Sequence, residues 1–213
     1  HSLANELSSS LDRLDILVCN AGIMAAPLER SAQGHELQLA VSHLAHHVLV
    51  VDLMDLLVAS DARVVSLSSS AHMMGGVDLD DLDYRSRDYE KWSAYAQAKS
   101  ATALFAVALA DKHGAAGITS VAVHPGVIET GIQRHLTDDE TAGVIAMSEA
   151  QGEVRSVEAG AASIVWAATT DLGSDNGAYV ANCGIANDFR APHAGDPATA
   201  QKLWDATEHL IAG

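Results

Sequence analysis

The chain has 213 residues, of which 48% are hydrophobic, 4% aromatic and 19% charged, and its 12 Lys and Arg against 28 Asp and Glu leave a formal net charge of −16. The apolar fraction is too high for disorder, and no stretch approaches the roughly 20 apolar residues of a membrane-spanning helix. The acidity argues against a basic groove for nucleic acid and against docking on an anionic membrane, so neither is expected as a partner.

The opening HSLANELSSSLDRLD carries acids and serines and lacks the apolar core of a secretory signal, which leads to the expectation of a cytoplasmic protein. A first residue of His is not an untouched translation start, so the sequence is expected to be an N-terminally truncated portion of a longer product. Cys19 and Cys183 lie far apart, with neither zinc nor disulfide spacing, and are expected to be buried, reduced thiols.

Four short β-branched runs predict strands: Asp15 to Cys19, Arg63 to Leu67, Ile118 to Val123 and Ala178 to Ala181. Segments of helical period separate and follow them, over Gly34 to Ala59, Ser93 to His113, Val157 to Thr169 and Pro197 to Ile211. Continuous apolar strands alternating with helices predict an α/β fold, a doubly wound parallel sheet of right-handed βαβ units. No internal repeat or linker divides the chain, so residues 1–213 are read as one domain. The acidic, Gly-interrupted stretch Thr130 to Arg155 is too long for an ordinary connection and is read as a lid or substrate loop.

Ligands of open α/β sheets bind beyond the carboxyl ends of the strands. Here those positions hold Asn20-Ala21-Gly22, Ser68-Ser69-Ser70 and His124-Pro125-Gly126. The helix starting near Ser93 carries Tyr95 and Lys99 four residues apart, on one face. An ammonium beside a phenol stabilises phenolate and is expected to lower the Tyr pKa toward working pH, fitting Tyr95 for general acid or base work. Ser69, on the neighbouring strand end, is placed to hold the oxygen of a carbonyl or alcohol.

Tyr-x-x-x-Lys alone is a weak signal. Its order after CNAG (Cys19 to Gly22) and VVSLSSSAH (Val64 to His72), and before HPGVIET (His124 to Thr130), makes the chain resemble the short-chain dehydrogenase/reductase family. The resemblance runs from about Leu11 to the C-terminus and is nearest the retinol-dehydrogenase-like branch. It implies a Rossmann-like fold and an oxidoreductase that passes hydride between NAD(P), with NADP slightly preferred, and a small-molecule alcohol or carbonyl. It also implies catalytic roles for Ser69, Tyr95 and Lys99, and cofactor binding by Asn20, Ala21, Gly22, Tyr95, Lys99, Pro125, Gly126, Ile128 and Thr130. A homo-oligomer through the Gly34 to Ala59 and Ser93 to His113 helices is a further implication.

Two departures stand out. Ser42 occupies the place of the family's relay Asn and Ala45 that of a Gly, from which slower turnover is expected. The Gly-rich turn is absent, since no Gly-x-Gly occurs in the sequence. Without backbone N–H groups at such a turn the pyrophosphate lacks a cradle, so weak dinucleotide binding and an association-prone sheet edge at Asp15 to Cys19 are expected. A rival reading is a non-catalytic relative that senses a dinucleotide or binds a partner.

Other candidates carry less. His43, His46 and His47 crowd one helix but lack a further ligand with metal spacing, so no metal site is expected. Asp78 to Asp83 lacks the Gly and terminal Glu of a calcium loop. His124 is read as structural, and His72 is left open between a cofactor contact and a loop cap.

Overall fold

The computed structural model describes residues 1–150 and 152–212. Its central sheet has the order β1 (Ile16–Cys19), β2 (Arg63–Leu67), β3 (Thr119–His124), β6 (Tyr179–Ala181), β7 (Gly184–Ile185). The first four strands pair in parallel, with Val65 opposite Val18 and Val121, and β7 returns antiparallel from β6. The sheet is thus mixed but mostly parallel. The four expected strands are present within a residue or two of their predicted bounds. β7 is an addition, made by a two-residue turn in which Asn182 and Cys183 both have positive φ, 50° and 55°. That turn projects Cys183 outward, so it is exposed where burial was expected, while Cys19 is buried.

Period-two alternation divides the strands between two covering layers. Val65, Val121, Val123 and Val180 point at α7 (Val157–Thr169), where Ala167 and Leu172 complete a cluster. Val64, Ala122 and Tyr179 face α5 (Lys91–His113) and the layer around it. Covering on both faces is what a doubly wound arrangement requires. β1 is the exception. Ile16 and Val18 are each 40% exposed, and the outer edge of the strand carries no neighbour among the described residues.

Every residue of α5 from Ala94 to Ala106 is buried, because the helix lies between the sheet and α8 (Pro197–Ala212). Its alanines allow that close approach. α5 begins two residues before the expected Ser93, since the Glu90 carboxylate accepts from the Trp92 and Ser93 amides at 3.0 and 2.7 Å and caps the first turn. α8 seats Trp204 against Phe105, the rings stacked at 5.8 Å, and bonds Thr207 to His43 and Glu208 to His47. The face of α5 away from the sheet is therefore covered by the chain's own C-terminal helix. Self-association through it, the expected dimer surface, would have to displace α8.

The predicted Gly34 to Ala59 helix is divided: α2 (Leu37–Leu39), a π turn at Ala40–Leu44, α3 (Ala45–Asp52) and α4 (Met54–Ala59). The break at Leu53 is a local backbone departure, φ −95° and ψ 4°. α1 (Ser2–Ser10), outside the predicted elements, packs on α3. The Thr130 to Arg155 stretch, read as a loop, contains α6 (Asp138–Ala150) and returns through β5 (Val154–Arg155), which pairs in parallel with β4 (Val127–Ile128). Thr137 and Glu140 bond each other's backbone amides at 2.8 and 3.2 Å, a capping box that starts α6.

Candidate active site

The strand ends and the first turns of α5 converge. Beyond β2, the Ser69 hydroxyl caps a short 3-10 turn (Ser70–Met74) by accepting from the Ala71 amide at 3.2 Å. Tyr95, buried in the first turns of α5, packs in one apolar cluster with Ala71 of this turn. One helical turn on, Lys99 donates from Nζ to the Leu67 carbonyl at 2.8 Å, while Ser68 Oγ donates to the Lys99 carbonyl at 2.8 Å. Strand end and helix are stitched in both directions, which fixes the spacing of Ser69, Tyr95 and Lys99.

Gly22 completes the group from β1. A β-carbon there would lie 3.4 Å from Lys99 Nζ and 3.6 Å from Ser42 Oγ, which places this stretch of backbone beside both side chains. Ser42 Oγ is buried and has no hydrogen-bond partner among the described residues. The Ser42 carbonyl, within the π turn, accepts from His46 Nδ1 at 3.0 Å and Thr102 Oγ1 at 3.1 Å. Asn20 and Ala21 are exposed at the mouth of the strand, beside a cleft of roughly 420 Å³ that also touches Leu37, Val41 and His46.

The third strand end turns at Pro125 and Gly126, the latter at φ 90°, where a β-carbon would also meet Arg155 Cγ at 2.6 Å. Ile128 sends its side chain to α7, against Gly160, so only its backbone is left for a ligand. Thr130 is exposed, and its hydroxyl accepts from the Ile132 amide at 3.4 Å. Ser69, Tyr95, Lys99 and Gly22 are thus brought together, whereas Thr130 and the Ile128 side chain are engaged elsewhere.

Burial, not charge pairing, governs the titration of the central pair. Desolvation pushes the Tyr95 phenol up to about 12, opposed only by the nearby Ser69 side chain, and pushes the Lys99 ammonium down to about 8. This differs from the expectation that Lys99 lowers the Tyr95 pKa. The ammonium is spent on the Leu67 carbonyl and lies 5.7 Å from the centre of the phenol ring. Tyr95 is covered by an apolar group of Met24, Ala25, Ala71 and Trp92, with Ile132 and Leu136 contributed by the stretch leading to α6. Lys91 and Glu140 join α5 to α6 by an ion pair of 2.5 Å.

Comparison with known proteins identifies the family. A family profile described as short chain dehydrogenase matches residues 1–141. The chain belongs to the short-chain dehydrogenase family. A probable oxidoreductase of Streptomyces antibioticus is 40% identical over 210 residues, covering 90% of this chain and 70% of that protein. Human retinol dehydrogenase 13 is 36% identical over 207 residues, covering 94% and 61%. A crystal structure of an uncharacterized protein from Mycobacterium paratuberculosis superposes with a TM-score of 0.76 at 30% identity, covering 99% of this chain and 72% of that one. The chain therefore spans about two thirds of the length of these short-chain dehydrogenase relatives.

Several contacting residues escaped the sequence reading. Tyr179 Oη donates to the Ser69 carbonyl at 3.2 Å, and His124 Nε2 lies 2.8 Å from Glu153 Oε2, tying β3 to the segment that returns through β5. The Thr137-Asp-Asp-Glu140 capping pattern was the available signal for α6. No local pattern marks Tyr179 or Glu153, whose partners lie 110 and 29 residues away. Among the described residues no group of three or more His, Cys, Asp and Glu is placed to hold a metal, and no helix is long and apolar enough to cross a membrane.

Proposed function

We propose that this chain is the catalytic part of an NAD(P)-dependent oxidoreductase acting on a lipophilic alcohol or carbonyl, with Tyr95 as proton donor and acceptor. The observation that carries the reading is the convergence of Ser69, at the end of β2, with the buried Tyr95 and Lys99 one helical turn apart on α5, where Lys99 Nζ donates to the Leu67 carbonyl at 2.8 Å. The residues fit the nicotinamide end of a dinucleotide. Gly22 lies beside Lys99, Ser42 Oγ lacks a partner among the described residues, and Gly126 turns the backbone without a side chain in the way. The pyrophosphate end has no such fit, since the sequence holds no Gly-x-Gly turn.

When bound, the dinucleotide supplies the hydride acceptor or donor. Lys99 would hold its ribose, Pro125, Gly126 and the Ile128 and Thr130 backbone its carboxamide side, and Asn20, Ala21 and Gly22 its adenosine side. Ser69 Oγ donates to the substrate oxygen. Tyr95 gives that oxygen its proton during reduction and takes it back during oxidation. A phenol held protonated by burial is ready for the reductive direction, and NADPH is the form assigned first. The apolar group over Tyr95 excludes water from the proton transfer and favours a lipophilic substrate.

Ser42 in place of the family Asn favours a second reading, in which the chain binds a dinucleotide without turnover. NADPH and NADH oxidation with a panel of aldehydes and ketones, run beside dinucleotide fluorescence titration, separates the two. The Tyr95→Phe variant is expected to keep binding and lose at least roughly a hundredfold in turnover. Binding with no turnover in the parent chain would establish the second reading instead.

A further inference from the structure

We propose that His72 is a positioning residue for Ser69, holding the backbone of the reactive serine from a single fixed tautomer; this rests on the proposed role of Ser69. The Ser69 carbonyl receives three donors: the His72 amide at 3.1 Å, His72 Nδ1 at 2.6 Å and Tyr179 Oη at 3.2 Å. The opposite ring nitrogen, Nε2, lies 3.0 Å from the backbone N–H of Ala191, which can only donate. Nε2 is therefore the acceptor and Nδ1 carries the proton, so the hydrogen bond to Ser69 has one polarity. The Tyr179 hydroxyl, 3.2 Å from Nδ1, shares that proton while donating its own to Ser69.

The carbonyl of His72 is used as well. It accepts from Ser100 Oγ at 3.2 Å and from His193 Nε2 at 2.9 Å. His72 thus joins the Ser69 turn, the residue of α5 next to Lys99, and the segment carrying Ala191 and His193. The ring is fully buried, 4.9 Å from the Tyr179 ring and 6.3 Å from that of Phe189. Arg190, His193 and His124 supply the nearby positive or protonatable groups, and all three disfavour a charged His72. A second proton would also confront the Ala191 N–H with another donor. The geometry holds the ring neutral in the one form that donates to Ser69.

Two substitutions divide the functions of the two nitrogens. In His72→Asn the amide nitrogen takes the place of Nδ1 and keeps the donor to Ser69, while nothing reaches Ala191. In His72→Gln the amide oxygen takes the place of Nε2 and keeps the bond from Ala191, while Ser69 loses its donor. Positioning through Ser69 requires His72→Asn to keep kcat within about threefold and His72→Gln to lose roughly tenfold or more in kcat with little change in KM for the dinucleotide. Tyr179→Phe, which removes the second side-chain donor, should move kcat in the same direction as His72→Gln. Equal losses in the two His72 variants, or the reverse order, would overturn the proposal.

A readout independent of turnover keeps this separate from the proposed function. Long-range 1H–15N spectra should show the Nδ1–H tautomer of His72 at pH 7, and amide exchange over Ser69 to Ala71 should quicken in His72→Gln but not in His72→Asn. An Nε2–H or charged ring, or equal exchange in the two variants, refutes the lock even if the chain is an active enzyme. The lock observed in a chain without turnover overturns the proposed function instead.

Discussion

Lys99 presents its ammonium to the Leu67 carbonyl at 2.8 Å and lies 5.7 Å from the centre of the Tyr95 ring, so the two share a buried helix face without pairing. Each is displaced toward its neutral form by burial, and the two displacements act on stability in opposite senses. For Lys99, with a folded pKa of about 8 against an ordinary 10.5, the unfolded chain binds more protons between these values, so stability rises with pH across that interval. For Tyr95, raised from 10 to about 12, the unfolded chain loses its proton first, and stability falls as pH rises above 10. Urea unfolding from pH 7.5 to 11 should therefore show a Lys99 contribution increasing from about pH 8 and countered above pH 10. The Lys99→Met variant should lack that rise. An identical profile in the variant would show that the ammonium is not desolvated as the structure has it.

The Thr130 to Arg155 segment is fastened at two places. The return through β5 is held by pairing with β4 and by Glu153 against His124. At the tip, Lys91 holds Glu140. Both partners of the tip pair are partly exposed, and such pairs contribute little to global stability. Lys91→Ala is accordingly expected to leave the melting temperature within about 2 °C while quickening thermolysin cleavage between Thr130 and Ala150 severalfold. An unchanged cleavage rate would remove the tip contact from any role in closure.

The legible part of the molecule was the part written in local pattern. β-Branched runs marked four strands, and the residues just after three of them named the strand ends that converge. Tyr95 and Lys99 were legible because a four-residue spacing places two side chains on one helix face wherever the helix lies. The direction of the Tyr95 shift was not legible, since it depends on what covers the phenol: Ile132 and Leu136 come from a segment whose helix was unrecognised. Ser69 was legible as a hydroxyl at a strand end, but the donors on its carbonyl come from His72, three residues on, and Tyr179, 110 residues on. The antiparallel β7 depends on two residues at positive φ that are neither Gly nor, at Cys183, a residue favoured there.

Ser42 offers a gain-of-function test. Its hydroxyl is buried, without a partner among the described residues, near Gly22 and Lys99. An Asn side chain reaches farther and carries both a donor and an acceptor, so it can order a water that the shorter hydroxyl holds less firmly. The π turn that holds this position is already present, and its carbonyl accepts from His46 and Thr102 regardless of the side chain. Ser42→Asn should raise kcat, by roughly threefold to tenfold if one hydrogen bond in the relay is restored. An equal or lower rate would show that the proton leaves Tyr95 by another route.

Trp204 decides whether the α5 face is available to a second copy. Its ring stacks on Phe105 with 5° between planes, lies 4.5 Å from the His47 ring and carries Lys112 Nζ at 5.3 Å. Truncating a buried aromatic to Ala costs about 3–5 kcal/mol through lost transfer energy and an unfilled cavity. In Trp204→Ala that cost falls on the attachment of α8, whose remaining polar ties are the His43–Thr207 and His47–Glu208 hydrogen bonds. Loosening α8 uncovers Phe105 and the alanine face of α5, an apolar strip of the kind that pairs helices between subunits. Sedimentation velocity is expected to show Trp204→Ala self-associating more strongly than the parent chain at equal concentration. The same association in both proteins would mean that copies meet through a surface α8 does not cover, with the open edge of β1 and the exposed Ile16 and Val18 as the next place to cut.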